Sequence, residues 1–404
     1  MKRVVITGIG ALTPLGATFD KSWISVKQGL SGIGKITRIS DECLKWKAAG
    51  EVLDVKPVCL SAKELNFVDP FTIYALTAAG EAIESAVLPP DHISQSGIII
   101  GSSRGGITTL EKEFLKLSSK ASRYSRFSPH LMHASTISSA ASYVAVKFGI
   151  QGHCLGISNA CASGTNAIGE AFRMIKTGLA RIMLAGGSEA PLCRFCIEGY
   201  GATGALSKSI PQEASRPFDI RRDGFVLAEG SCMLVLEEMD SALMRKAAIF
   251  GEIIGYGNVC DASHPTKPSI QGEMLAIESA LNEANVSPSD VDYINAHGTS
   301  TVLGDKVEAQ AIRNIFGKAT VPVSSVKSMT GHMLASSGAF EAACTAMSLK
   351  EGFIPTTINT RDIDPACPIN LITASAKGFM NIAITNSFGF GGINAVLALK
   401  SFRP

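Results

Sequence analysis

Short β-branched runs alternate with longer helical patterns along this whole chain, and that alternation limits its folds more than any other feature. Val4–Thr7, Gly97–Gly101, Arg181–Ala185, Ser231–Leu236, Ile249–Gly255, Val291–Asn295, Val321–Ser325 and Ile382–Ser387 read as strands. Between them, Asp69–Ala86, Thr165–Lys176, Gln271–Glu283, Asp305–Ile315 and Gly338–Lys350 carry helical periodicity. Strands and helices in alternation predict α/β layers with buried sheets. No Pro/Gly/Ser-rich linker interrupts the pattern, so the parts are expected to pack together. With 404 residues, 46% apolar and 18% charged, the chain can bury a sizeable core.

The two halves resemble each other. "SNACASGTNAIGEA" in the first and "SVKSMTGHMLASSGAFEAA" in the second each join a strand, a polar turn and a helix rich in small residues. The pair suggests a duplication, with a boundary near Phe250: residues 1–250 against residues 251–404.

Several classes are disfavoured. A net charge of +2 gives no basic face of the kind nucleic acid requires. No run reaches the roughly 18 apolar residues of a membrane span. The start, "MKRVVITGIGALTPLG", is broken by Thr7, Gly8, Gly10 and Thr13 and lacks a cleavage site, so no signal peptide is read. The expected compartment is the cytoplasm, where ten cysteines are expected to be mostly core thiols.

Three turns carry chemistry. In "CASGTNAIGEAFRMIK", Cys161 stands at a helix start, where the helix favours a thiolate and small neighbours admit a substrate. Alone, such a cysteine is more often structural. "INAHGTSTVLGD" places His297 just after a strand, and "VKSMTGHMLASSGAFE" places His332 in a similar turn, five residues after Lys327. Strand ends are where α/β proteins hold ligands. A cysteine protease needs one imidazole and a group that orients it. Two imidazole N–H donors can instead hold one carbonyl oxygen and stabilise an enolate. The fourth element, "NSFGFGGINAVL", reads as a hairpin whose Gly-rich turn carries Phe388 and Phe390.

Together these motifs resemble the elongating β-ketoacyl-acyl carrier protein synthases, condensing enzymes of the thiolase superfamily. The resemblance runs from "RVVITGIGALTPLG" through "AGGSEA", "ASRPFDIRRDGFVLAEGSCMLVLE", "NAHGTSTVLGDKVEA" and "SVKSMTGHMLASSGAFEA" to "NSFGFGGIN". It implies a thiolase-like α/β fold, two similar halves in five αβαβα layers, usually as a homodimer. A heterodimer with a related subunit is the other assembly considered.

By the same resemblance, Cys161 is the acyl-accepting nucleophile, and His297 and His332 promote decarboxylation of a malonyl thioester. Lys327 and Glu341 are the supporting ion pair, and Asp305 braces the His297 loop. Phe390 gates the site and its N–H joins that of Cys161 in an oxyanion hole, with Phe388 beside it. Thr299 and Thr301 contact the pantetheine arm of an acyl carrier protein, which is the implied partner. No metal or redox cofactor is implied.

Three stretches depart from the family pattern without lying in its chemical motifs. Arg104 in "GSSRGG" implies a shorter or more polar acyl tunnel. Leu65, Asn66 and Phe67 stand where basic carrier-docking residues are common, and Pro265 where methionine is usual.

Other patterns compete. "GSSRG" fits a nucleophile elbow at Ser103, followed by Asp292 or Asp305 and then His297 or His332, which would make a serine hydrolase. No oxyanion loop of the HGGG type precedes Ser103, and the motif arises easily among 39 glycines. A non-catalytic chain-length-factor-like subunit would typically lack the cysteine found at 161. "CRFC", Cys193 to Cys196, lacks the second pair a zinc site needs. "GIGALTPLG" lacks the third glycine of a dinucleotide fingerprint.

Overall fold

The computed structural model describes residues 1–39, 44–118, 126–317 and 321–403. Its main sheet contains ten principal strands. Those of the first half are β1 (Val4–Leu12), β2 (Gly97–Gly101), β3 (Cys154–Ile157), β4 (Ile182–Glu189) and β5 (Gly230–Glu238). Those of the second are β6 (Gly251–Cys260), β7 (Tyr293–Asn295), β8 (Pro322–Ser324), β9 (Ile382–Gly389) and β10 (Ile393–Lys400). Six helices matter most: α1 (Pro70–Ala86), α2 (Ser139–Phe148), α3 (Ser163–Lys176), α4 (Ile270–Ala284), α5 (Val302–Phe316) and α6 (Ala335–Glu351).

The strand order repeats. The first set runs β1-β5-β4-β2-β3 and the second β6-β10-β9-β7-β8, with a two-residue strand, Asn370–Leu371, at the far edge. Each set opens with two antiparallel pairings and closes with two parallel ones. The sets meet where Val4–Ile6 of β1 pairs antiparallel with Gly251–Ile253 of β6.

The cores follow the layers. Helices α1 and α2 cover the outer face of the first set, burying Phe71, Tyr74, Ile98, Ile100 and Val144. Helices α4 and α5 cover the outer face of the second, around Ile277, Ile294, Ile312 and Ile384. Between the sets lie α3 and α6, where Phe172, Ile175, Tyr256 and Phe340 form the central core. Each large apolar side chain buried there stabilises the fold by roughly 1.5–3 kcal/mol.

Close packing explains several glycines. Strand β1 runs to Leu12, past the expected end at Thr7, with a bulge between Ile6 and Gly8. A Cβ on Gly8 would lie 2.3 Å from the Ala82 carbonyl oxygen, and one on Gly10 2.1 Å from that of Ala78. The glycines of "GIGALTPLG" therefore let α1 press on the sheet. At the molecular centre, a Cβ on Gly164 would lie 2.2 Å from the Ala335 oxygen, and one on Gly338 2.0 Å from Thr165 Oγ1. Helices α3 and α6 thus cross at their N-termini through reciprocal glycine contacts.

Element ends shift as local chemistry dictates. Asp69, expected inside α1, caps it by accepting the Phe71 N–H at 3.0 Å, and Pro70 takes the first helical position. The edge strand β3 and helix α2 were absent from the sequence expectations. Cys154–Ile157 is short and contains a glycine, and its side chains remain largely exposed. Of the nine described cysteines, Cys193, Cys196, Cys232, Cys344 and Cys367 are buried, whereas Cys59, Cys154 and Cys260 are exposed. Cys43 lies outside the described residues. Among the described residues, no helix is long and apolar enough to cross a membrane.

Candidate active site

The central helices start where strands end, and this brings the separate motifs together. One cavity of about 810 Å³ is lined by Cys161, His297, His332, Thr299, Thr301, Phe388, Phe390 and Arg104. Asp305 also reaches its wall. Lys327 and Glu341 lie behind it, each 1% exposed, with Nζ 2.5 Å from Oε1.

Cys161 sits on a strained turn just before α3. Ala160 adopts a left-handed φ of 47°, which costs a residue with a Cβ some energy. The Ala160 carbonyl accepts from Ser163 Oγ at 2.6 Å and from Ser103 Oγ at 2.8 Å. The equivalent turn before α6 repeats the conformation at Leu334, also at φ 47°, and has Ala335 where the first half has Cys161. The Phe390 N–H lies on the other side and favours the Cys161 thiolate. Phe390 begins a three-residue turn whose glycines, Gly391 and Gly392, have φ of 89° and 71°.

The helix start does not by itself make Cys161 a thiolate. Burial pushes its thiol up to about 11, while the Lys327 charge, the Phe390 N–H and the Arg104 charge pull it down. Desolvation thus opposes the thiolate that the helix start and the nearby cations favour.

The imidazoles face one another edge to face, with ring centroids 5.3 Å apart at 85°. Burial holds both well below the usual histidine value of 6.5, and the Lys327 charge adds to this. Both rings are therefore neutral at pH 7. Ser337 Oγ accepts the Met333 N–H at 2.9 Å and lies 3.1 Å from His332 Nδ1. His332 Nε2 is buried with no protein partner. Among the described residues, nothing hydrogen-bonds either ring nitrogen of His297, whose Nδ1 is likewise buried. Phe225 packs edge-on to His332 at 5.3 Å and Phe388 to His297 at 6.0 Å, which fixes the rings and keeps water from them.

Residues missed in the sequence do much of the positioning. Glu308, buried on α5, accepts the N–H of His297 at 2.8 Å and of Gly298 at 2.7 Å. Asn386 Nδ2 donates to the same carboxylate at 3.0 Å. Asp305 instead accepts from Ser300 N at 3.0 Å and Phe218 N at 2.7 Å. The brace nearest His297 is therefore Glu308, and Asp305 holds the turn three residues on. The signal was present: Asp305 and Glu308, three residues apart, share a helix face with Ala309 and Ile312, where carboxylates are out of place. Glu189, also buried, accepts from Ser102 Oγ, Ser103 N, Arg104 N and Ala335 N and so joins the "GSSRG" loop to α6.

The competing patterns resolve. Ser103 gives its hydroxyl to the Ala160 carbonyl and so shapes the cysteine turn, with no imidazole among its partners. Gly101 carries no Cβ because one would lie 2.4 Å from the Ser163 backbone. Cys193 and Cys196 are buried free thiols. Among the described residues, no three His, Cys, Asp or Glu side chains converge as metal ligands. One departure does touch the working parts: the Pro265 carbonyl accepts the Gly391 N–H at 2.8 Å, next to Phe390. Leu65 and Asn66 form a surface 3₁₀ turn, and Phe67 stacks on His130 at 4.1 Å.

A cysteine at one strand end and two neutral imidazoles at others, in a duplicated αβαβα frame, define a condensing-enzyme site of thiolase type. The Beta-ketoacyl synthase N-terminal domain matches residues 1–242 and the C-terminal domain residues 250–361, and the chain belongs to this family. It is 42% identical to 3-oxoacyl-[acyl-carrier-protein] synthase 2 of Staphylococcus aureus, over 100% of this chain and 99% of that one. Its identity to the Synechocystis protein of the same name is 40%, with the same coverage. Among solved structures it resembles a beta-ketoacyl synthase from Burkholderia phymatum, with a TM-score of 0.93, 33% identity and full coverage of both chains. It also resembles the ishigamide ketosynthase/chain length factor, with a TM-score of 0.92, 32% identity and full coverage of both. A type II polyketide ketosynthase bound to a hexaketide, in complex with its acyl-carrier protein, gives a TM-score of 0.92 at 33% identity, covering 99% of this chain and 100% of that one.

Proposed function

We propose that this protein joins an acyl group to malonyl-acyl carrier protein by decarboxylative Claisen condensation, yielding a β-ketoacyl-carrier. The observation that carries this reading is the enclosure of Cys161, His297 and His332 in one cavity, with both imidazoles neutral.

In the first step, the Cys161 sulfur bonds to the acyl carbon of an acyl-carrier thioester. The carrier thiol leaves with the proton. Thr299 and Thr301, whose hydroxyls lie 3.0 Å apart on the cavity wall, offer contacts to the carrier's pantetheine arm. Malonyl-carrier then binds, and its thioester oxygen takes N–H donors from His297 and His332. The bond to the carboxylate breaks, carbon dioxide leaves, and the electron pair remains as an enolate. Its carbon attacks the acyl-Cys161 carbonyl, whose oxygen is held by the N–H groups of Cys161 and Phe390. The Cys161 sulfur then departs. Neutral imidazoles suit this task, since they donate without protonating the enolate irreversibly. Lys327, paired with Glu341, supplies the positive charge behind the rings.

In this reading residues 1–250 bring the nucleophile and residues 251–404 the histidines. The enzyme works in the cytoplasm as a homodimer or with a related subunit, with an acyl carrier protein as partner and no metal or redox cofactor. The deciding experiment incubates the protein with acyl- and malonyl-carrier and follows Cys161 by intact mass. Transient acylation of Cys161 and release of a β-ketoacyl-carrier are expected. Labelling of Ser103 by a fluorophosphonate, with Cys161 never acylated, would overturn the assignment.

A further inference from the structure

One wall of the cavity carries a cation that the proposed condensation does not use. Arg104 lines the same cavity as Cys161, and its Nε donates to the Tyr200 hydroxyl at 2.9 Å. Tyr200 is itself buried and packs edge-on against Phe225 at 5.6 Å, which in turn packs against His332. The backbone is equally fixed, because the N–H groups of Ser103 and Arg104 both donate to Glu189. Glu189 is not the counter-ion, for its oxygens are occupied by amides and by Ser102. No described carboxylate forms an ion pair with Arg104, and the terminal nitrogens Nη1 and Nη2 have no protein acceptor among the described residues. The side chain is thus held by Nε, with its two-nitrogen edge left open. That edge matches the two oxygens of a carboxylate.

We propose that Arg104 is a specificity-determining residue whose open Nη1/Nη2 edge receives the distal carboxylate of a short acyl chain on Cys161. The preferred acyl donor is then the half-thioester of a dicarboxylic acid, in preference to a methyl-ended chain. This inference rests on Cys161 being the acyl acceptor. The acyl chain has to fit within the one cavity of about 810 Å³ that Cys161 and Arg104 both line. A methyl-ended chain would cover the guanidinium with apolar groups and give it no acceptor, which is costly.

The test compares glutaryl and pentanoyl thioesters of one carrier protein, equal in chain length and differing in the distal group. Intact mass of Cys161 is followed over time. Wild type is expected to load glutaryl faster by about tenfold or more. Arg104→Gln is expected to abolish that preference, and Arg104→Lys to keep part of it. Tyr200→Phe, which frees Nε without removing the charge, is expected to lower the glutaryl-to-pentanoyl ratio several-fold. Melting curves confirm that each variant is folded. Equal loading of both donors by wild type, or an unchanged ratio in Arg104→Gln, overturns the inference and leaves the condensing reading intact. Failure of both donors to load Cys161 in wild type overturns both.

Discussion

Glu308 holds His297 by its backbone, accepting that residue's N–H at 2.8 Å from a helix eleven residues further along the chain. The same carboxylate takes the Gly298 N–H, so one buried group fixes the turn that presents the imidazole. Removing it leaves two buried amides without acceptors, each costing about 1–3 kcal/mol. Glu308→Ala is expected to lower stability by about 2 kcal/mol or more and to slow malonyl decarboxylation, with acyl loading of Cys161 less affected. Urea unfolding and a decarboxylation assay read the two effects. Wild-type values in both would show that Glu308 positions nothing.

His297→Ala and His332→Ala are each expected to reduce decarboxylation on the order of a hundredfold to a thousandfold, the usual cost of one oxyanion-type donor. Acyl transfer to Cys161 should survive in both. Both rings are held well below 6.5, so they remain neutral as pH falls through the ordinary histidine range. The unfolded chain does bind protons there. The stability tied to these two groups is therefore present above 6.5 and lost as pH falls below it. A denaturation series from neutral to acid pH should show stability declining, and replacing both histidines should flatten that part of the decline.

The raised Cys161 thiol sets a second pH dependence. With its titration pushed up to about 11, the thiolate fraction at pH 7 is small and grows about tenfold per pH unit until that value is approached. Inactivation by iodoacetamide should accelerate accordingly between pH 7 and 9. Cys59 and Cys260, both exposed, should also be alkylated but without loss of condensation. A rate of inactivation independent of pH in this range would mean that Cys161 is already ionised.

The buried pair Lys327–Glu341 is expected to behave as a unit. Lys327→Met strands a carboxylate inside the protein and should cost about 3–5 kcal/mol. The double variant Lys327→Met/Glu341→Leu should recover part of that stability while remaining impaired in decarboxylation. A double variant no more stable than the single one would show that the pair is not coupled.

The helix crossing at the centre leaves no room for a methyl group. A Cβ on Gly164 falls 2.2 Å from the Ala335 carbonyl oxygen, a backbone atom that cannot swing aside. Gly164→Ala should destabilise the protein by about 1–3 kcal/mol through overpacking, and should slow acyl loading by shifting the turn that carries Cys161. Thermal melting together with loading rates tests both consequences.

Patterns repeated over many residues were legible in the sequence. The alternation of strands and helices, the resemblance of the two halves, and the small-residue turns at Cys161, His297 and His332 all report local rules of periodicity and backbone geometry, which neighbouring residues suffice to satisfy. Strand β3 was not legible, because four residues, three of them exposed and one a glycine, carry no period and become a strand only by pairing with β2. Nor was Glu308, whose role depends on α5 packing beneath a loop from another element. The ionisation of the site belongs to tertiary structure as well. A helix start promises a thiolate, but whether Cys161 ionises depends on how much water the fold removes around it. Likewise, Arg104 was visible as an oddity of sequence. Only the folded cavity decided that Tyr200 would take its Nε, that Glu189 would be occupied elsewhere, and that its terminal nitrogens would be left without a partner among the described residues. Desolvation and pairing are sums over everything nearby in space, and distance along the chain does not determine them.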